Sequence, residues 1–394
     1  MNFIEGGICA VKGVRAAGIK TGKMGLAVIQ AEGNAAGVYT RNKVIAAPLV
    51  VTREHIAGTG KLAAIIVNSG NANAFTGDQG IASARKMASL VSSNLDLDEE
   101  LIGVASTGVV GRQLNLAWIE ETLPQVTDVL SDTSEASMQA ARAIMTTDTV
   151  PKEVAIEMES GFRIAGIAKG SGMIEPNMGT MLAFVYTDAV VPSDTLSSCL
   201  RESVDRSFNM LVVDGDTSTN DMVLVTATGR SGITPDTYDF RKGLEFVLTQ
   251  LAKMIAIDGE GATKLIESKV TGAVTEEDAR LVAKAIVRSP LVKSAIFGED
   301  PNWGRVIVAA GYSGADMDQE KISLSFSAGT EVVELVKDGK VVRNDEEALS
   351  QLKSIMACNE IFIITDLGMG HANATAWGCD LTYDYVRINA EYTT

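Results

Sequence analysis

Short apolar runs alternate along this chain with stretches whose apolar residues recur every three or four positions. Residues 62–67, LAAIIV, are a continuous apolar run of strand length. After the polar loop NSGNANAFTG, apolar side chains fall near 84, 87, 88, 91 and 95, which is helical spacing. LIGVAS (101–106) reads as a strand that ends in the turn-like TGVVG, and two helical stretches follow at about 117–130 and 134–145. EVAIEMESGFRIAGIA (153–168) has two alternating arms around a Ser-Gly pair, the pattern of a hairpin. TMLAFVYTDAVV is a strand-like run, with helix predicted at 193–208 and strand at MVLVTAT (222–228). Phe240, Leu244, Val247, Leu248, Leu251 and Ile255 mark a long amphipathic helix. TEED, Thr275 to Asp278, has a capping-box pattern ahead of Leu281, Val282, Ala285 and Ile286. ISLSFS, EVVELV, EIFIITDL and ATAWGCDLTYDYVRINA read as further strands.

Strands interspersed with helices predict an α/β protein whose sheets are covered by helices. Some strands alternate and others are apolar throughout, a mixture that suits stacked sheets with helices outside. No repeat, low-complexity tract or linker interrupts the 394 residues. That length fits two or three domains or one large layered fold. No apolar run reaches the ~20 residues of a membrane helix, and MNFIEGGICAVKGV lacks the basic-then-apolar layout of a secretory leader. A cytoplasmic protein without a membrane partner is expected.

Charge narrows the chemistry. The net charge is −16 and no Lys/Arg cluster is present, which disfavours nucleic acid. An anionic substrate would then need a local cation, because the overall field repels it. The four cysteines (Cys9, Cys199, Cys358, Cys379) have no metal-type spacing and read as reduced, buried thiols. With only His55 and His371, a multi-histidine metal site is excluded and a histidine base has few candidates. GIKTGKM has the wrong spacing for a P-loop, no GxGxxG follows a strand, and GxSxG is absent. VDGDTSTND (213–221) gathers Asp214, Asp216 and Asp221. It reads as a metal loop without EF-hand spacing or, more commonly for such residues, as a turn capped by its own side chains. No metal and no cofactor are expected.

Gly179–Thr180 joins the glycine-broken loop KGSGMIEPNMG to an apolar strand. Threonine is a weak nucleophile, but as the first residue of a chain it has its own α-amine as general base. That amine titrates at about 7.7–8, close to neutrality. Reaching this state requires cutting the bond before Thr180, which the hydroxyl could do by attacking the Gly179 carbonyl. Glycine offers no side chain to block that attack. An ordinary threonine at the start of a strand is the competing reading of these two residues.

KGSGMIEPNMGTMLAF resembles the processing site of the ornithine acetyltransferase family, the ArgJ-type glutamate N-acetyltransferases. VNSGNANAFTG (67–77), ASTGVVG (105–111), TTDTVPK (146–152), VDGDTSTND, SPLVKSAIFGEDPNWGR (289–305) and INAEYTT (388–394) also resemble family segments, in the same order. The resemblance therefore spans essentially the whole chain. It departs at Gly179, where alanine is more usual, and at Glu175, where a neutral residue is more typical.

The resemblance implies a stacked-sheet α/β fold of the ArgJ/DmpA type, self-cleaved into an α chain (1–179) and a β chain (180–394). The two would form one intertwined layered fold with a smaller C-terminal α/β portion, assembled as a heterotetramer of two α and two β chains or larger. It implies arginine biosynthesis: N-acetylornithine gives its acetyl group to Thr180, ornithine leaves, and glutamate takes the acetyl group to become N-acetylglutamate. Thr107 and Gly108 match the oxyanion hole; Thr147, Lys169, Thr180, Glu260, Asn389 and Thr394 match substrate-binding positions. Lys169 can pair with a carboxylate and Glu260 with an ammonium group. Some family members also use acetyl-CoA as donor, and no residue here decides that. The rival reading is a self-processing N-terminal-nucleophile amidase or aminopeptidase, which passes its acyl group to water. A non-catalytic binding protein is a third reading, with no residue in its favour.

Overall fold

The computed structural model describes residues 1–175 and 181–391. Gly179, Thr180 and Thr394 lie outside the described residues. Among the described residues the chain divides into two compact units, one of Met1–Asn209 and Asp216–Leu251, the other of Met210–Gly215 and residues 252–391.

The first unit is built on a nine-stranded mixed sheet, counted among the described residues. From one edge its strands run Asn2–Phe3, Lys152–Glu157, Arg163–Lys169, Leu182–Thr187, Met222–Ala227, Met24–Tyr39, Lys61–Asn71 and Ile102–Val109. Arg15–Thr21 pairs with the first half of the long Met24–Tyr39 strand, whose second half pairs with Met222–Ala227. Continuous apolar strands arise here because both faces are covered. Ala27, Ile29, Ile65 and Val67 point into one core with Phe184, Tyr186 and Leu224. Their neighbours Leu26, Val28, Ala64 and Ile66 point into the other, against Ala84, Met87, Ala88 and Val91 of the helix Gly77–Leu95.

The second unit has a seven-stranded sheet, again among the described residues. Ser323–Ala328, Glu360–Asp366, Leu265–Ala273 and Ala372–Cys379 lie side by side at its centre. Leu324, Phe326 and Ala328 are buried while the alternating serines are half-buried, so the period-two pattern of ISLSFS marks a sheet with one apolar face. Helices Glu276–Arg288 and Glu346–Met356 pack on this sheet.

The α/β class, with two sheets flanked by helices, agrees with the sequence reading. The amphipathic helix is Thr237–Ile257, and Phe240, Leu244, Val247, Leu248, Leu251 and Ile255 are all buried. Each such side chain contributes about 1.5–3 kcal/mol when taken out of water. The N-cap of the expected capping box is in place, with the Thr275 hydroxyl accepting from the Asp278 amide at 3.1 Å.

Three expectations need correction, and three elements had no counterpart in the sequence reading. Residues 107–109 continue the strand Ile102–Val109, because a parallel partner, Lys61–Asn71, runs alongside to the same end. The C-terminal run is strand only over Ala372–Cys379; Tyr383–Glu391 is a helix with no buried residue, so its apolar side chains report no buried strand. Cys358 is exposed, unlike the three other thiols, at the end of a surface helix. The strands Arg15–Thr21 and Met24–Tyr39 and the helix Ala47–Thr59 were not anticipated, since glycine and alanine blur their periodicity. Among the described residues no helix is long and apolar enough to cross a membrane.

Candidate active site

Thr107 and Gly108 sit at the end of a strand held open by glycine. Gly108 pairs with Gly70 across parallel strands, and its φ is +129°. A Cβ there would lie 2.4 Å from the Gly70 carbonyl carbon, so both backbone angle and space require glycine. Thr107 is buried at 3% exposure. The corner is braced from behind: the Ser106 hydroxyl donates to Asn68 Oδ1 at 2.5 Å, and Asn220 Nδ2 donates to the Ser106 carbonyl at 2.8 Å and the Ala72 carbonyl at 2.6 Å. A buried hydroxyl beside a glycine amide is suited to donate to an oxygen that gains negative charge.

Asn220 is followed by Asp221, whose carboxylate is fully buried. Its Oδ1 accepts the Met181 amide at 2.7 Å, and its carbonyl accepts the Thr40 amide at 3.0 Å. Two consecutive side chains thus hold the Thr107 corner and the entrance of the strand Leu182–Thr187. Burial pushes the Asp221 carboxyl well above the usual carboxylate range, and the Met181 amide, the Thr40 hydroxyl and then Lys169 only partly offset this.

Lys169 ends the strand Arg163–Lys169 and is 2% exposed. Its ammonium lies 3.9 Å from Asp148 Oδ2. Asp148 is a buried hub: it also accepts from Lys152 at 2.8 Å, from the Thr146 amide at 3.0 Å and from the Gly170 amide at 2.6 Å. Burial alone would raise its carboxyl, but Lys169, Lys152 and these hydrogen bonds outweigh burial and hold it at about 2. Thr147, half-buried, is the residue between Thr146 and this hub. Lys20 joins the neighbourhood by donating to Ser69 Oγ at 2.8 Å and to the Met145 carbonyl. Ser69 is the cross-strand partner of Thr107. Burial lowers the Lys20 ammonium; Asp148 opposes this and Lys169 adds to it.

Glu260 and Asn389 belong to the second unit. They are 129 residues apart, yet Asn389 Nδ2 donates to Glu260 Oε2 at 2.8 Å. The contact depends on a tight approach at the next residue. Gly261 has φ +70°, and a Cβ there would come within 2.6 Å of the Tyr385 amide nitrogen. The Thr382 hydroxyl donates to the Gly261 carbonyl at 2.7 Å, fixing the start of the helix Tyr383–Glu391.

In the first unit Lys20 bonds Ser69, the strand partner of Thr107, and the Met145 carbonyl; Lys169 pairs with Asp148, which Thr147 directly precedes in the chain; the second unit joins Glu260 to Asn389. Asp214 and Asp221 of the acidic motif serve separate partners, the Tyr385 hydroxyl (3.3 Å) and the Met181 amide. Among the described residues no three His, Cys, Asp or Glu side chains converge to hold a metal ion.

The ArgJ family model matches residues 11–394. The chain belongs to the ArgJ family. It is 64% identical to the glutamate N-acetyltransferase of Methanosarcina acetivorans over the full length of both chains. It is 48% identical to the Arginine biosynthesis bifunctional protein ArgJ of Archaeoglobus fulgidus, over 98% of this chain and all of that one. Among solved structures, ArgJ from Bacillus halodurans matches at 46% identity with a TM-score of 0.49, covering 53% of this chain and 98% of that one.

Within this ArgJ chain, sequence reasoning had passed over Asp148, Lys152 and Asn220 as individual residues. The signal for the first two was in TTDTVPK, where an acid and a base four apart flank a proline. Asn220 and Asp221 lay inside a motif whose composition reads equally well as a surface turn. Glu175 is buried, its amide bonded to the Asp216 carbonyl at 2.9 Å and its carbonyl to the Thr217 hydroxyl at 3.2 Å.

Proposed function

We propose that this ArgJ-family acyltransferase moves the acetyl group of N2-acetyl-L-ornithine to L-glutamate in arginine biosynthesis, through an acetyl ester on Thr180. The chain cuts itself between Gly179 and Thr180, and the freed α-amine of Thr180 becomes the base for its own hydroxyl. In the first half-reaction the hydroxyl attacks the acetyl carbonyl, the oxyanion is held by the Thr107 hydroxyl and Gly108 amide, and ornithine leaves with the returned proton. In the second, the glutamate amine attacks the ester and leaves as N-acetylglutamate. Each donor in such a hole contributes about 3 kcal/mol to the transition state.

The observation that carries this reading is the pairing of Asn220 with the Ser106 carbonyl and of Asp221 with the Met181 amide. It ties the candidate oxyanion donors to the residue that follows the candidate nucleophile. Lys169 and Thr147 are assigned to the substrate carboxylate, and Glu260 with Asn389 to polar and cationic groups, with Thr394 completing the set. No cofactor takes part; acetyl-CoA is assigned the role of an alternative acetyl donor. We place the reaction in the cytoplasm, on a heterotetramer of two α and two β chains.

The rival amidase shares the nucleophile but uses water as acceptor. Purified protein given N-acetylornithine should release ornithine at a rate that rises with glutamate, with N-acetylglutamate formed in equal amount. Ornithine release that ignores glutamate and is matched by acetate would overturn the transferase reading.

A further inference from the structure

Lys20, Gly25, Ser69 and Thr107 stand on one rung across four adjacent strands. Lys20 pairs with Gly25, Gly25 with Ser69, and Ser69 with Thr107. Residues on one rung present their side chains to the same face of a sheet. Gly25 leaves that face open between its neighbours: a Cβ there would lie 2.6 Å from the Ser69 hydroxyl and 2.0 Å from the Ala143 carbonyl oxygen. The Lys20 side chain spans this gap, and its ammonium donates to Ser69 Oγ at 2.8 Å.

The same two side chains hold the segment that follows the helix Ser134–Ala143. Ser69 Oγ donates to the Ala143 carbonyl at 2.7 Å, and the Lys20 ammonium donates to the Met145 carbonyl. Residues 145–148 are neither helix nor strand, so no ladder of backbone bonds fixes them. Yet they carry Thr147 and Asp148, and Asp148 in turn meets the Lys169 ammonium at 3.9 Å. Burial lowers the Lys20 ammonium and Asp148 opposes this, so the carboxylate lies within electrostatic reach of Lys20. Groups on a loop reach the precision that binding needs when surrounding side chains lock them. The Thr107 strand end has braces of its own, Ser106 on Asn68 and Asn220 on the Ser106 carbonyl.

Resting on the assignment of Thr147 and Lys169 to the substrate carboxylate, we propose that Lys20 is a positioning residue for both substrates. Bound to Ser69 and Met145 at once, it holds Thr147, and through Asp148 also Lys169, at a fixed spacing from the strand end that carries Thr107 and Gly108. N-acetylornithine and glutamate both present an α-carboxylate, so one tie serves both half-reactions. Without Lys20 the 145–148 segment loosens from the rung, while Asn68 and Asn220 still brace the Thr107 corner. The loss therefore falls on binding.

The test is steady-state kinetics of the whole purified protein, wild-type and Lys20→Met, with N-acetylornithine and glutamate varied in turn. Losing a hydrogen bond from a charged group should lower kcat/KM for the two substrates alike, each by ~10-fold or more, with kcat at saturation near the wild-type value. A merely structural role would do the reverse, lowering kcat with the folded fraction and leaving KM unchanged. Ser69→Ala removes the other end of the tie. Its loss should also lie in kcat/KM, and the double variant should lose less than the product of the two single losses. A folded Lys20→Met chain with wild-type kcat/KM for both substrates would overturn the proposal. So would a loss confined to one substrate, which marks a direct contact, a loss in kcat alone, or single losses that multiply in the double variant. If the thermal melt shows that Lys20→Met does not fold, Ser69→Ala decides, and its unchanged kcat/KM for both substrates overturns the proposal. Wild-type ornithine release that ignores glutamate would instead remove the transferase reading on which this rests, a result that needs no variant.

Discussion

Thr107 is buried near a strand end, with Gly108 fixed beside it by a backbone angle that only glycine adopts comfortably. Thr107→Val keeps the shape and removes the donor, so kcat for acetyl transfer should fall by about 10²–10³-fold with little change in thermal melt. Asp148 makes the opposite kind of contribution. Asp148→Asn leaves Lys152 and Lys169 buried beside an uncharged group and should cost about 3–5 kcal/mol of stability in a denaturant titration. Its pH dependence has a definite sign. The folded carboxyl is held at about 2, below the usual carboxylate value, so its stabilisation is complete above about pH 4 and is lost as pH falls toward 2. Acid unfolding of the wild-type chain should therefore steepen below pH 4, and the Asp148→Asn chain should lack that part. Thr107 and Lys169 were singled out in the sequence because their motifs resemble family segments. Asp148 and Asp221 did not stand out, since a carboxylate becomes a hub or a brace only through what folds around it, and neither burial nor an amide donor forty residues away is written locally.

At the scale of elements, the strands Arg163–Lys169 and Leu182–Thr187 pair antiparallel across the candidate cut, from Ile164–Thr187 to Lys169–Leu182. Both are buried along almost their whole length. Cutting between Gly179 and Thr180 therefore leaves neighbouring strands of one sheet on different chains. The fragments should co-elute in gel filtration without denaturant and separate only in urea; separation under native conditions would contradict this pairing. The helix Glu276–Arg288 offers a smaller test: Thr275→Ala removes an N-cap and should cost about 1 kcal/mol. Periodicity gave this helix and the buried face of Thr237–Ile257 directly, because their apolar stripes are wide and interrupted by charge. It failed for the C-terminal helix, where the side chains are exposed and the pattern carries no burial signal.

For the whole molecule, a net charge of −16 disfavours the approach of an anionic substrate such as the proposed glutamate. Added salt should screen that repulsion, so kcat/KM for glutamate should rise with ionic strength before specific ion effects set in. The composition showed this field, and the α/β class followed from alternating helical and strand periods. The division into two units, with residues 210–215 crossing into the second, had no mark in the sequence, because no linker or change of composition accompanies it. The proposed cut at Thr180 divides the whole chain, and the mass of the purified, denatured protein beside a Thr180→Ala control tests it. Two species, residues 1–179 and 180–394, are expected, with the control remaining one chain of 394 residues. A single uncut chain in both samples would contradict it, and the Thr180 amine would have to be withdrawn as the catalytic base.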